Sequence, residues 1–342
     1  MPDIFHNIHI SDEDYEKAAV RWLPQFLLMP LFACESTLKY MTGQPGVTTP
    51  VKFPSAEGNA QFAPYRHDRH SEDTTNIDFR ELNTYLGNVR IDFEPLQYIR
   101  LLIGQGTATL GDGQMQAPTA KLVIETVMKS LGHHLHNCLF TAKRNPNGDT
   151  TADLFDGWGT ILDQEIAKDT LSAAKGNLIT LDEKVTAANA VDLAKEIERS
   201  CHPMLRDKQK YMFVDPAFAD LYNDSYLVTH PSVVYNKGFE HSVVEGSYGK
   251  TEIVPLQCLA GTDKYIVTTK DNMLYGYDNM SDLTRMEVKR YAPWVMTIAA
   301  AMFFGTQFRT IDQRFLKVVK LKGDAAPAGG DPNAQNGGGA NP

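Results

Sequence analysis

PTAKLVIETVMKSLGHHLHNCLFTAK, residues 118–143, followed by LFDGWGTIL at residues 154–162, decides the fold. Pro118 stands where a first helical turn tolerates proline, because the N–H it lacks is one a helix start leaves unpaired. Ile124, Val127, Met128, Leu131, Leu135, Cys138 and Leu139 then recur at three- and four-residue steps, which predicts one apolar face of a helix of about seven turns. After the Asn, Pro and Gly turn at Asn145–Gly148, the residues 154–162 read as a strand with a tight turn at Asp156 and Gly157.

Towards the N-terminus, Ser11–Tyr40 has helical character, with Ser11 and Asp14 in an N-cap spacing, but Pro24 and Pro30 interrupt it, so it reads as an arm. Residues 45–64 carry Pro and Gly at intervals among β-branched and aromatic residues, which predicts extended chain with turns. Residues 77–94 end in an alternation of Val89, Ile91 and Phe93 with Arg90, Asp92 and Glu94, the period of a half-exposed strand. Between these limbs lies the charged run Tyr65, Arg66, His67, Asp68, Arg69, His70, Glu72, Asp73, the tip of a long hairpin.

Towards the C-terminus, Thr180 and Glu183 have capping-box spacing, and Ala187, Val191, Ala194, Ile197 and Cys201 make the stripe of the helix they are expected to open. YMFV (211–214), IVPL (253–256), YIVTT (265–269) and MLYGY (273–277) are short strand candidates, and Met286–Lys322 has strand character throughout. From Gly323 to Pro342 there is almost nothing to bury, and the segment reads as a disordered tail.

Composition limits the function classes. With 342 residues and 42% hydrophobic content the chain can build a sizeable core. A formal charge of -9 repels a phosphate backbone and argues against general nucleic-acid binding. The four cysteines, Cys34, Cys138, Cys201 and Cys258, lie far apart and read as reduced thiols. The acidic start lacks a signal peptide's basic region, and the apolar run Trp294–Phe304 is about half the ~20 residues a membrane span needs, so no membrane partner is expected.

Few residues in the sequence suggest chemistry. On a helix His134 and Cys138 are one turn apart and His133 and His136 share a neighbouring face, so His133, His134, His136 and Cys138 form the one conceivable metal cluster. A closed zinc site needs four convergent ligands, and no second Cys/His pair with ligand spacing accompanies it; solvated or subunit-contact histidines are the competing reading. GQGTATLGDG (104–113) is glycine-rich but lacks the lysine and hydroxyl of a phosphate loop and the third glycine of a dinucleotide fingerprint. The charged tip mixes both signs on an exposed hairpin, which favours a solvated or intersubunit loop over acid–base machinery. No catalytic residue, metal or cofactor is predicted.

The order of elements resembles the major capsid proteins of tailed bacteriophages, the Hong Kong phage or Johnson fold, an α+β architecture. LFDGWGTIL looks like that family's turn after its spine helix, YMFVDPAFADLY (211–222) like its strand and Asp-Pro helix start, and GKTEIVPLQCLAGTDKYIVTTKDNMLYGYD (249–278) like its strand, loop and strand. VKRYAPWVMTIAAAMFFGTQFRTIDQRFLKVVK (288–320) resembles its closing strands.

The resemblance implies an N-terminal arm (1–45), an E-loop hairpin (46–94), a P domain (95–171) with its spine helix at 118–143, an A domain (172–283), a return to the P domain (284–322) and the tail (323–342). It implies a non-enzymatic structural subunit that self-assembles into hexamers and pentamers of an icosahedral head, made in a bacterial host cytoplasm and found in the virion capsid. The partners implied are further copies of the chain, a portal, a separate scaffold protein, in some cases a cement or decoration protein, and packaged double-stranded DNA held without sequence-specific binding. Two alternatives stay open: an encapsulating shell protein with an enzyme cargo, and a cytosolic metalloenzyme using the 133–138 cluster.

Overall fold

A computed structural model describes residues 29–57, 64–67, 76–94, 116–229, 242–278, 286–292 and 295–321. The arm before residue 29, the glycine-rich 104–113, the rest of the hairpin tip and the tail from 323 lie outside the described residues. The fold is α+β, and its contacts divide it into two compact units. The first draws on Met1–Phe53, Glu81–Gly157 and Leu274–Gln307, the second on Pro54–Arg80, Trp158–Met273 and Phe308–Pro342.

In the first unit, residues 29–33 are helical and a short helix α1 (Glu35–Leu38) follows. Strand β1 (Thr42–Pro45) comes next; strands β2 (Val51–Glu57) and β3 (Asn76–Leu82), whose residues from Pro54 to Arg80 are counted with the second unit, pair with each other as a ribbon. Strand β4 (Tyr85–Phe93) alternates in burial along its length, as the Val89–Phe93 pattern predicts. The long helix α2 runs Gln116–Cys138, so the chain leaves the helix before Leu139. Its stripe buries Ile124, Met128 and Leu135. At Gly132 a Cβ would stand 2.9 Å from the Pro30 Cα and 2.6 Å from the Ala33 Cβ, so only glycine lets residues 29–34 lie this close to the helix.

The segment 154–162 departs from the strand expectation. The tight turn at Asp156 and Gly157 is present, but helix α3 (Trp158–Ala167) begins directly after it. Trp158, Ile161, Leu162 and Glu165 fall on one buried helical face, a 3.6-residue period that a nine-residue window did not separate from a strand. Each residue of the turn has a separate task. Phe155 is fully buried with its ring edge-on to Phe304, centroids 4.9 Å apart. Asp156 Oδ1 accepts from the Arg144 N–H at 2.9 Å, and its carbonyl accepts from the Thr306 hydroxyl at 2.6 Å. Gly157 donates to the Ala142 carbonyl at 2.8 Å, and a Cβ there would stand 2.7 Å from the Leu139 carbonyl oxygen.

The remaining elements are strand β5 (Leu178–Leu181), helices α4 (Ala190–Ser200) and α5 (Pro203–Arg206), strand β6 (Lys210–Val214) and helix α6 (Pro216–Thr229). Strands β7 (Thr251–Pro255), β8 (Lys264–Thr268), β9 (Met273–Tyr277), β10 (Met286–Ala292), β11 (Val295–Phe308) and β12 (Leu316–Leu321) follow. The first unit's sheet has the order β1-β9-β11-β10, with β4 also on β11 in antiparallel register from Met296↔Phe93 to Phe304↔Tyr85. The second unit's sheet has the order β5-β12-β8-β6-β7. Val191, Ala194, Ile197 and Cys201 of the predicted stripe pack on it with Met212, Phe218, Tyr265 and Val319.

The capping-box expectation at Thr180 and Glu183 is also corrected. Thr180 lies in β5, paired parallel with Lys320 of β12, and the helix opens ten residues downstream of Thr180 at Ala190. There Asn189 accepts from the Thr186 N–H at 2.8 Å and closes the turn before the helix. Sheet pairing overrides the local spacing. The Asp-Pro start of α6 is as read, with the Asp215 carboxylate accepting from the Ala217 N–H at 3.1 Å.

Candidate assembly surface

Among the described residues the ribbon β2/β3 carries two exposed large apolar side chains on one strand. Along β3, Phe79 is 61% exposed and Ile77 is also largely in solvent, two positions apart and so on one face of the strand. At the tip Tyr65 is 91% exposed, and Arg66 and His67 are exposed beside it. Asp68, Arg69, His70, Glu72 and Asp73 lie outside the described residues. A two-stranded ribbon cannot bury such a face on itself, so the face is available to a partner. Residues 77–94 are expected as one extended limb of the hairpin; they divide instead into β3, which pairs with β2, and β4, which pairs with β11.

The ribbon's root is held firmly. In the first unit, Lys52 pairs with Glu81 at 3.2 Å, the Thr84 hydroxyl donates to the Val47 carbonyl at 2.6 Å, and Gln307 Nε2 donates to the Glu81 carbonyl at 3.0 Å. Gly305 permits the closest approach, because a Cβ there would stand 2.0 Å from the Asn83 carbonyl oxygen. In the second unit, Arg80 Nε donates to the Phe308 carbonyl at 3.1 Å and Nη2 to Glu165 Oε1 at 2.9 Å. Residues Ser55, Phe79 and Arg80 border a cleft of about 720 Å³ with the loops 170–177 and 309–313.

Burial opposes ionisation of Glu165, but hydrogen bonds from Thr170 and Arg80, with the Arg80 and Lys168 charges, outweigh it and hold the carboxyl below the ordinary glutamate range. A folded-state value below the unfolded one means the tether's stabilisation is present above the ordinary value of 4.5 and is lost as pH falls through the folded value. Urea midpoints are therefore expected to separate the natural chain from Glu165→Gln at neutral pH and to converge at acid pH, once the carboxylate is protonated in the folded chain as well. An equal gap at both pH values would show that the carboxylate charge is not what holds Arg80.

The histidine cluster does not converge. His136 Nε2 lies 2.9 Å from the Thr37 hydroxyl, linking α2 to α1, and burial is the main cause lowering its pKa. His133 and His134 are exposed, and burial with the Asp153 charge pushes the half-buried Cys138 thiol up, away from a metal-binding thiolate. Among the described residues no group of three or more His, Cys, Asp or Glu side chains is placed to hold a metal ion. No helix among them is long and apolar enough to cross a membrane.

No protein-family model matches the chain, and no curated protein matches it by sequence. Solved structures do match in fold. A chain of the satellite phage P4 procapsid, a structure that includes the size determination protein, superposes at TM-score 0.51 and 12% identity, covering 87% of this chain and 99% of that one. A chain of the cyanophage A-1(L) capsid superposes at TM-score 0.53 and 12% identity, covering 85% of this chain and 92% of that one. The chain therefore has the fold of phage capsid subunits, as its order of elements led us to expect.

Proposed function

We propose that this chain is the major capsid subunit of a tailed bacteriophage, assembling into hexamers and pentamers of an icosahedral head around double-stranded DNA. The observation that carries this reading is the fold, superposed over nearly the whole length of chains from phage capsids at TM-scores of 0.51 and 0.53. Residues 46–94 act as the E-loop reaching a neighbouring copy through Tyr65–Asp73, 95–171 form the P domain, 172–283 the A domain and 284–322 the return to the P domain. The exposed Ile77 and Phe79 on a ribbon whose root is anchored support an intersubunit role. The subunit is structural, with no catalysis to assign. A portal, a separate scaffold and, in some particles, a cement protein complete the head, which holds its DNA without reading sequence and is built in the bacterial cytoplasm.

Size exclusion and negative-stain microscopy of the purified chain are expected to reveal capsomers or closed shells. A compact monomer at high concentration would sink the reading, and shells that copurify with a protein cargo in place of DNA would turn it to the encapsulating alternative.

A further inference from the structure

The turn after α2 in the first unit holds Asn147 and Gly148, a pair whose peptide nitrogen can react with the asparagine's own side chain. Both residues are exposed. Asn145, Pro146, Asn147 and Gly148 close as a β-turn, the Gly148 N–H donating to the Asn145 carbonyl at 3.0 Å and the Asn147 N–H to Asn145 Oδ1 at 3.2 Å. Packing demands the glycine. A Cβ at 148 would stand 2.2 Å from Asp153 Cγ, whose carboxylate accepts from the Thr150 N–H at 3.2 Å. The same missing Cβ leaves the Gly148 nitrogen unhindered on its side-chain face. Among the described residues the Asn147 side-chain amide has no hydrogen-bond partner, so nothing ties its carbonyl carbon away from that nitrogen.

The other pair of this type among the described residues, Asp156 and Gly157, has the opposite surroundings. Gly157 is buried with its N–H committed to the Ala142 carbonyl at 2.8 Å, and Asp156 Oδ1 is held by the Arg144 N–H at 2.9 Å. Ring closure there would break contacts in the interior. At Asn147 and Gly148 it requires only that an exposed turn open, and hydrogen bonds of exposed turns open at little cost in free energy.

We propose that Asn147 is a site of spontaneous modification, converting to aspartate and isoaspartate through a cyclic imide formed with Gly148. The Gly148 peptide nitrogen bonds to Asn147 Cγ, the Cγ–Nδ2 bond breaks, and ammonia leaves with the hydrogen that the peptide nitrogen gives up. Water then adds to either imide carbonyl and a C–N bond opens, with the nitrogen regaining its hydrogen. Opening on one side gives aspartate; opening on the other routes the backbone through the former side chain as isoaspartate. Either product adds a carboxylate to a loop that already holds Asp149 and Asp153, so the charge of this exposed loop changes with the age of the protein.

The purified natural chain, incubated in mildly alkaline buffer and then mapped by peptide mass spectrometry with enzymatic methylation of isoaspartate, provides the test. Mapping must separate the 147–148 peptide from the tail, where Asn336 and Gly337 form the same pair. The folded chain is expected to lose the Asn147 amide at a rate within about tenfold of the urea-unfolded chain, while Asp156 stays unchanged. Because the attacking nitrogen must first give up its proton, the rate is expected to fall in mildly acidic buffer. Asn147→Gln, which would have to close a six-membered ring, is expected to remove the isoaspartate signal from this peptide. An Asn147 amide retained in the folded chain while the unfolded chain loses it overturns the proposal. Isoaspartate appearing equally fast at Asp156 overturns it too, since the surroundings of the turn would then not govern the reaction.

Discussion

Lys210→Met is expected to destabilise the second unit by about 3–5 kcal/mol, with a fall in melting temperature on the order of 10 °C. Lys210 opens β6 with its side chain fully buried, and its ammonium lies 2.9 Å from Glu198 Oε1 on α4. The other Glu198 oxygen accepts from the Thr251 hydroxyl at 2.8 Å, and Arg206 stands 3.9 Å away. Methionine matches the lysine stem in length but removes the charge, which leaves a carboxylate stranded in a low-dielectric interior with only a hydroxyl and a distant guanidinium as company. Stranding the partner, more than losing the attraction, is what costs. The double variant Lys210→Met, Glu198→Leu is accordingly expected to recover most of the loss, since an apolar pair of similar volume can replace a buried ion pair at little net change. Urea denaturation with an unchanged slope would measure both. A single-variant loss below about 1 kcal/mol would show that Glu198 finds another partner or takes a proton.

That ion pair marks the limit of what could be read without coordinates. Lys210 precedes YMFV, and nothing local distinguishes a buried lysine at a strand start from a solvated one; its burial depends on Glu198 and Thr251, brought together only by packing of α4 against the sheet. Helix α2 was legible because a period repeated over 23 residues outweighs local ambiguity, and β6 to β9 because each is a short apolar run bounded by turn residues. Helix α3 was not, since one apolar stretch with two glycines fits either period. The tether from Arg80 to Glu165 spans 85 positions in sequence and leaves no local trace. For the proposed assembly surface, the charged tip was visible as composition, whereas Ile77 and Phe79 became candidates only once their exposure was known. An apolar residue in a strand pattern is ordinarily assigned to a core, and only the three-dimensional fold reveals that no core is there to receive it.

Replacing Tyr65–Asp73 by a short Gly/Ser linker is expected to abolish or sharply reduce particle formation while leaving the subunit's fold intact. The described part of the tip, Tyr65, Arg66 and His67, is exposed, so its removal takes nothing from either unit's interior. Exposed substitutions of this kind shift stability within about 0.5 kcal/mol, and circular dichroism with thermal melting should detect no larger change. Assembly responds differently because an interface is repeated in every copy: a contact loss of only about 1.4 kcal/mol weakens each association about tenfold, and a closed shell multiplies that deficit over all its subunits. The contacts at the ribbon's root, Lys52 with Glu81 and Arg80 with Glu165, are untouched by the replacement, so only what the tip offers a neighbour is gone. Sedimentation and microscopy of the variant beside the natural chain would measure the effect. Particles at the natural yield would show that the tip is a solvated turn and that Ile77 and Phe79 alone carry the ribbon's contact, whereas a variant that fails to fold would place the tip within a core of its own chain.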